Sequence, residues 1–336
     1  MSAYRYILLR ILERMAVLFI VVVINFVIFQ VLPTLAKINV AALYLPKSTL
    51  GFNNYQYTQE LQNLNRIFGL DQPLWVRFVK YVVAMYTFNF GVDYTATPVI
   101  QEIKQHFWPT FVVVVPSLII STIMAINWGM YSAARKGKAS DHISSLTFQF
   151  TYNIPSFWVA VVIWVIFAGI LKWFPLSLSS ALLTKGGNAI HGFEYYTRFL
   201  WASVLPILTL SLLSFGARAL LMRNNSVEIL DSDFVLHAKI RGLRDKLIIR
   251  RHVLRNAVLP VVTRVGIDVA FLLSGVVFIE YAFNFNGLGS MLVTAAESYD
   301  IPLLEGDFFV ISFMAVMVFL AMDLIYPLID PRVRYE

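Results

Sequence analysis

The chain has no cysteine among its 336 residues, and only 14% of the residues are charged. Without cysteine it can form neither a disulfide nor a thiolate metal site, and a cysteine nucleophile is excluded. The low charge comes with 58% hydrophobic residues and a mean hydropathy of +0.69, outside the range of soluble globular domains. The composition therefore predicts an integral membrane protein.

Motifs for nucleotide hydrolysis, for metal binding and for acyl-transfer chemistry are also missing from the sequence. The Gly-Lys pair at 137 and 138 has Ser132 at the position where a phosphate-binding loop needs its first glycine. The five histidines do not have the H-x-x-x-H spacing of a metal site, and no serine lies in a G-x-S-x-G turn. We therefore expect no enzymatic activity and no cofactor bound by this chain.

Long apolar runs dominate the rest of the sequence. A helix needs about 20 apolar residues to cross a bilayer. Six runs approach or exceed this length, at 15–32, 111–130, 146–171, 199–221, 257–278 and 308–329. The first has no small-residue cleavage site and is expected to be retained, and Pro155 predicts a kink in the third. The predicted fold is an all-α polytopic membrane protein with six transmembrane helices.

Lysine and arginine are distributed unevenly among the connecting segments. They cluster before the first run, at 135–138, at 223–255 and at 332–334, whereas the segment 279–307 has none. Short loops rich in Lys and Arg stay in the cytoplasm. The pattern predicts a multi-pass protein of the cell membrane with both termini cytoplasmic. A formal net charge of +7 could also attract nucleic acid, but no basic groove with interleaved aromatic residues is present, so no nucleic-acid partner is expected.

The segment 33–107, between the first two runs, is too long for a simple connector. Two helices are predicted in it, one with Tyr57, Leu61, Leu64 and Phe68 on one face and one within 72–86. We interpret 33–107 as an extracellular subdomain, with a cover over the ends of the spans as the alternative. The predicted domains are then 1–32, with the cytoplasmic N-terminus and the first helix, 33–107, and a transmembrane core at 108–336.

A basic stretch, HAKIRGLRDKLIIRRHVLRNAVLP at 237–260, holds seven Lys or Arg and a single Asp. At about 2.5 to 3.5 kcal/mol for each charge at a helix centre, it cannot lie in the bilayer, so 222–256 is predicted to be a cytoplasmic loop. Capping residues near Asp233 and a stop at Gly242 predict a short helix, followed by a second one that ends at Pro260. The alternative is a basic surface helix attracted to anionic headgroups.

Ionisable residues inside apolar runs tend to face a cavity or a partner. Arg264 and Asp268 are four residues apart in the fifth run, so they share one helix face. We predict an internal ion pair between them, with substrate contact as the alternative. The candidate residues of a translocation pathway are Asn153, Arg264, Asp268, Ser274 and Glu280.

Several motifs resemble one family when they are taken in order along the chain. They include GLDQPLWVRF (69–78), NIPSFW (153–158), Ala238-x-x-x-Gly242 followed by RHVLRNAVLP (251–260), SGVVFIEYAFNFNGLG (274–289) and DPRVRY (330–335). The chain is similar to permeases of ABC importers of the oligopeptide and dipeptide type, in their B-type first-subunit form. The resemblance covers nearly the whole sequence.

The resemblance implies partners and a role for the basic loop. The partners are a second homologous permease, two ABC ATPase subunits that bind ATP and Mg²⁺, and an extracellular solute-binding protein. The first short helix would dock in a groove of one ATPase. Arg251 and Arg255 would hold the second short helix against acidic groups or lipid phosphate, or have a structural role. The coupling residues implied are Asp233, Phe234, Val235, Ala238, Gly242, Arg251 and Arg255.

Two alternatives remain open at this point. The same machinery could import oligosaccharides such as cello- or malto-oligomers, because specificity resides largely in the binding protein. A stand-alone secondary transporter is less consistent with the sequence, because such proteins show internal repeats with broken helices at matching positions. No clear internal repeat is visible in this chain.

Overall fold

The computed structural model describes residues 3–45, 54–67, 69–184 and 187–329, without the side chains at 3, 4, 43, 44, 54, 55, 270–272, 274 and 325–329. Three features of the sequence analysis lie outside the described residues. They are Phe68, the side chain of Ser274 and the motif at 330–335.

The described part of the chain is helical almost throughout, which confirms the all-α prediction. The helices are α1 (Ala3–Phe26), α2 (Leu32–Leu35), α3 (Asn54–Ile67), α4 (Leu74–Tyr86), α5 (Val99–Ala133), α6 (Ala139–Asn153), α7 (Ser156–Trp164), α8 (Leu178–Ala181), α9 (Phe193–Leu230), α10 (Asp233–Ile240), α11 (Asp245–Ile248), α12 (Leu254–Ala282), α13 (Leu288–Ser298) and α14 (Ile301–Ile329). A 3-10 helix lies at Val40–Tyr44, and π-helical turns lie at Val27–Val31, Val165–Ile170 and Ile249–Val253.

Four helical stretches among the described residues are long and apolar enough to cross a membrane. They are Arg5–Leu35, Val99–Ala133, Phe193–Leu230 and Ile301–Leu324, and a bent pair formed by Ala139–Asn153 and Ser156–Ile170 is a fifth candidate. The remaining predicted run, 257–278, falls in α12, whose 29 residues exceed the length that a span needs. A multi-pass membrane protein is therefore confirmed, and the count of six spans stays a prediction.

The third predicted span is not one kinked helix. α6 and the following helix meet at an angle of 97°, and the break lies at Ile154 and Pro155. Ile154 is extended, with φ −74° and ψ 136°, as expected for a residue that precedes proline. At 1.5 Å per residue, the 15 residues of α6 reach only about 22 Å. The run therefore forms two short helices that border a turn.

The second short helix of the basic loop does not end at Pro260 as predicted. α11 continues through the π-helical turn Ile249–Val253 into α12, which contains Pro260. Proline is tolerated inside membrane helices because neighbouring groups satisfy the freed backbone carbonyl. At the other end of the loop, α9 continues to Leu230, so the predicted loop 222–256 begins inside this helix.

The chain divides into two compact units. The first comprises Met1–Ile7, Trp108–Ser290 and Val318–Glu336. Within it, α6 packs closely on α9 around the buried side chains of Phe148 and Phe215, and the ring of Trp128 stacks on Phe215 at 5.4 Å. Gly216 makes this approach possible, because a Cβ there would lie 2.5 Å from the carbonyl oxygen of Phe148.

The second unit comprises Leu8–Phe107 and Met291–Met317. Both helices predicted in the segment 33–107 are present, as α3 and α4. Tyr81 of α4 packs against Phe26 with 5.4 Å between ring centroids. Burial raises the pKa of Tyr81, and the nearby Glu305 carboxylate raises it further, so this phenol stays protonated. The extracellular position of the segment stays a prediction.

Candidate functional site

Helix α10 ends where the sequence predicts its stop. The N–H of Gly242 donates to the carbonyl of Lys239 (2.9 Å), and the N–H of Leu243 donates to that of Ala238 (3.3 Å). This pair of bonds is the Schellman motif, which requires a left-handed residue at its centre. Gly242 supplies it with φ +75°, and no atom lies within 4 Å of a Cβ built there. The space beside this turn is open.

The apolar residues of α10 divide between buried and exposed positions. Val235 and Ala238 are buried in one cluster with Ile248 and Val253, so they attach α10 to the helical segment that follows it. Three other apolar side chains are exposed: Phe234 at 44%, Leu236 at 56% and Ile240 at 72%. Leu236 and Ile240, four residues apart, share one face of the helix, and Phe234 lies on another side. The sequence analysis missed Leu236 and Ile240. The signal was present, because apolar residues occur all around this short helix.

The charged residues predicted to act in coupling lie at the surface. Asp233, the first residue of α10, is exposed, and a carboxylate there interacts favourably with the positive end of the helix dipole. Arg251 and Arg255 are exposed on the π-helical turn and on the first turn of α12. Together with Arg244 and Arg250, they give the surface beside α10 an excess of positive charge.

The predicted ion pair within the fifth run is confirmed. Arg264 Nε donates to Asp268 Oδ1 over 2.9 Å. The other carboxylate oxygen, Oδ2, lies 3.2 Å from Nε of Arg218 in α9. Asp268 is thus shared between two guanidinium groups from two helices.

Arg218 is the residue of this cluster that the sequence analysis missed. It is fully buried, and it donates to Thr122 Oγ1 (2.7 Å), Ser121 Oγ (2.8 Å) and the carbonyl of Ser214 (3.0 Å). A signal was available, because Arg218 is an arginine inside the apolar run 199–221, and ionisable residues in such runs are rare and functional. Its partner could not be read from spacing, because Asp268 lies in another helix.

A cavity of about 320 Å³ adjoins this cluster within the first unit. Arg264 and Asp268 form part of its wall, and the ends of α6 and α7 on either side of their turn contribute Thr151, Tyr152 and Ser156. Ser214 adds a further hydroxyl from α9. The cavity therefore combines hydroxyl groups with a concentrated set of charges.

Two other candidate pathway residues do not reach this cavity. Asn153 is exposed and donates through Nδ2 to the carbonyl of Gln149 (2.7 Å). Glu280 is fully buried and accepts from Thr110 Oγ1 (2.7 Å) and from the backbone N–H groups of Gly289 (2.7 Å) and Ser290 (3.2 Å). Its carboxylate therefore accepts from the first turn of α13 and holds the start of that helix in place.

The residues that the structure describes contain no group of three His, Cys, Asp or Glu side chains that could hold a metal ion. At α10 exposed apolar side chains can meet a partner protein, and at the cavity a guanidinium can meet an anion.

Comparison with known proteins identifies relatives that match most of the chain. The probable peptide ABC transporter permease protein y4tP of Sinorhizobium fredii is 30% identical over 278 residues, covering 82% of this chain and 86% of the relative. The dipeptide transport system permease protein DppB of Lactococcus lactis is 29% identical over 332 residues, covering 98% and 99%. The glutathione transport system permease protein GsiC of Salmonella typhi is 29% identical over 269 residues, covering 80% and 82%.

A family match covers both candidate sites. Residues 125–335 match the family described as binding-protein-dependent transport system inner membrane component. The matched range contains α10 with its glycine stop, and it contains the cluster of Arg218, Arg264 and Asp268. The chain belongs to the family of binding-protein-dependent transport system inner membrane components.

Proposed function

We propose that this chain is one permease subunit of an ABC importer that carries peptides into the cell, with both of its termini in the cytoplasm. The names of two relatives, a probable peptide permease and a dipeptide permease, support the substrate class. The excess of Lys and Arg in 223–255 and its absence from 279–307 support the orientation. Oligosaccharides are the alternative substrate.

The proposed assembly needs three kinds of partner. A second homologous permease completes the pore, two ABC ATPase subunits bind ATP and Mg²⁺, and an extracellular solute-binding protein delivers the substrate. This chain does no ATP hydrolysis, because its sequence has no phosphate-binding loop around Lys138. Its contribution is to change conformation when the ATPase subunits move.

The observation that carries the proposal is the exposed apolar surface of α10. Leu236 and Ile240 expose apolar side chains on the side opposite Val235 and Ala238, which attach the helix, and Phe234 is exposed on the flank. Exposed apolar groups of this kind are typical of a helix that docks in a groove of a partner. The buried contacts of α10 with α11 and the π-helical turn then give a route by which movement of α10 reaches α12.

Isolation of the native assembly tests the proposal directly. The chain is purified from its own membranes in a mild detergent, the accompanying subunits are identified by mass spectrometry, and ATP hydrolysis is measured with added tripeptides and then with cello-oligomers. We expect two ATPase subunits and stimulation by the peptides in the presence of the binding protein. If only the sugars stimulate ATP hydrolysis, oligosaccharides take the place of peptides as the proposed substrate. If no ATPase subunit accompanies the chain in any mild detergent, the proposed assembly is refuted.

Substitution of Gly242 tests the coupling role. Gly242→Val adds a side chain to an open surface. A valine in the left-handed backbone conformation at this position lowers the free energy of unfolding by about 1–2 kcal/mol, so the variant should still fold and insert. We expect ATP hydrolysis to continue while uptake falls about tenfold or more, because the added side chain lies where the ATPase subunit docks. Both rates are measured in proteoliposomes that contain the whole assembly.

Gly187→Val is the matched control for this variant. Gly187 also has a left-handed backbone (φ +81°) and open space around its Cβ position, but it lies in the segment between α8 and α9. The two variants therefore share the same backbone strain. Normal uptake in Gly242→Val, or an equal loss in both variants, would contradict the coupling assignment.

A further inference from the structure

We infer that the cavity beside Arg264 binds the C-terminal carboxylate of a peptide during its passage. This inference rests on the proposed function and identifies the group of the substrate that the permease itself recognises. It is carried by an open guanidinium edge, by the charge balance of the cluster and by the position of the cluster along its helices.

Arg264 has donor groups that its bond to Asp268 leaves unused. Its bond to Asp268 uses Nε, and neither Nη group has a hydrogen-bond partner among the residues that the structure describes. The side chain is 39% exposed and lines the cavity. A guanidinium edge with two parallel N–H groups matches a carboxylate in a bidentate arrangement. Arg264 is thus oriented by Asp268 and open to an anion.

The charges of Arg218, Arg264 and Asp268 do not balance. Two guanidinium groups share one carboxylate, because Asp268 Oδ1 accepts from Arg264 while Oδ2 lies beside Arg218. The remaining contacts of Arg218 are to hydroxyl and carbonyl oxygens, which carry no compensating charge. The cluster therefore has one surplus positive charge. Such a charge is costly within a membrane-spanning region, and a bound carboxylate offsets that cost.

The cluster also lies inside the predicted membrane-spanning runs. Asp268 is about 16 Å from the start of the run 257–278, and Arg218 is about 4 Å from the end of the run 199–221. The open guanidinium of Arg264 therefore belongs to the membrane-spanning part of α12 and lines the cavity there.

The chemistry of the cavity favours a peptide over a sugar. An uncharged oligosaccharide gives no partner to the surplus charge, whereas every peptide with a free C-terminus has a carboxylate. The hydroxyl groups of Thr151, Ser156 and Ser214 in the cavity wall can hydrogen-bond to peptide amides of any sequence. The site therefore recognises the one charged group at the C-terminus that all such peptides share.

The test compares uptake of a radiolabelled alanine tripeptide with uptake of its C-terminal amide. The strains carry the native transporter with this chain as wild type, Arg264→Gln, Arg264→Lys or Arg198→Gln. Arg198 is an exposed arginine that pairs with Glu194 near the start of α9, so it is the matched control. The binding protein is the same in every strain, and the ratio of acid to amide uptake does not depend on how much transporter a strain makes.

We expect the ratio of acid to amide uptake to fall about tenfold in Arg264→Gln, as for the loss of a charge-assisted hydrogen bond. Arg264→Lys should recover part of the ratio, and Arg198→Gln should keep it. An unchanged ratio in Arg264→Gln, or equal losses for both peptides, overturns the inference and leaves peptide import standing. No uptake of either peptide by the wild type overturns the proposed substrate, and the inference with it.

Discussion

Two arginines of α9, Arg218 and Arg223, each meet a carboxylate from another helix, but the two sites are built differently. Arg223 binds Asp141 of α6 in a bidentate pair, with Nη2 to Oδ2 at 2.7 Å and Nε to Oδ1 at 3.0 Å. Ser132 Oγ and the N–H of Gly137 also donate to this carboxylate. One cation and one anion are matched, and the acceptors of Asp141 are all used.

The site around Arg218 has an extra cation. Asp268 serves both Arg218 and Arg264, so one carboxylate balances two guanidinium groups. The comparison shows how similar residues serve different purposes. A matched and saturated pair can only hold helices together, whereas a shared carboxylate leaves one guanidinium oriented and able to bind an anion.

The largest effect on stability is expected from Asp268→Asn. The substitution leaves Arg218, which is fully buried, without a counter-charge. Removing one partner of a buried pair costs about 3–5 kcal/mol. We expect a loss of that size in the free energy of unfolding, measured by denaturant titration of the purified assembly in mixed micelles.

Asp231→Asn is the control for Asp268→Asn. Asp231 pairs with Lys136 over 2.8 Å, and both side chains are exposed, so its loss should cost less than about 1 kcal/mol. If Asp268→Asn lowers the free energy of unfolding by as little, the hydrogen bonds from Arg218 to Ser121 and Thr122 are enough to stabilise the buried guanidinium.

A smaller loss is expected from Asp141→Asn, at about 2–3 kcal/mol in the same titration. The side chain of Arg223 is 24% exposed, so water can hydrate part of the guanidinium after the charge is removed. Asparagine also keeps one oxygen that can accept from Gly137. If Asp141→Asn lowers the free energy of unfolding more than Asp268→Asn does, the number of hydrogen bonds to the carboxylate matters more than the burial of the arginine.

The smallest effect on stability is expected from Arg264→Gln. Its side chain is partly exposed, and Asp268 keeps Arg218 as a partner after the change. The surplus charge also disappears, so the loss should stay below about 1 kcal/mol. Unfolding is measured beside the uptake ratio. A loss above about 2 kcal/mol would make Arg264 a structural residue like Arg223 and would remove the difference between the two sites.

Most of the fold could be predicted because it depends on short-range patterns. Long apolar runs predict long helices, and five of the six runs lie in continuous helical segments, while the third is broken at Ile154 and Pro155. The stop at Gly242 also followed from the chain itself, because a left-handed residue at a helix end favours glycine. Pro260 was misjudged, because the rule that proline ends a helix is relaxed where neighbouring groups satisfy the backbone.

The candidate sites could be predicted only in part. The Arg264 and Asp268 pair was predictable, because residues four apart share a helix face. The placement of Glu280 was not, because its three donors come from α5 and from the first turn of α13. The two faces of α10 were also indistinguishable by hydropathy, since Val235 and Leu236 are both apolar and only one of them is buried.

The membrane class, most of the helices and the pair within α12 follow from composition and local spacing, because each depends on residues within a turn or two of one another. The contact between Arg218 and Asp268, the 97° bend between α6 and α7, and the exposure of Phe234 beside a buried Val235 come from the way the helices pack. These features depend on which helices pack together. Packing brings together residues that are distant in the chain, and neither periodicity nor spacing within one helix specifies them.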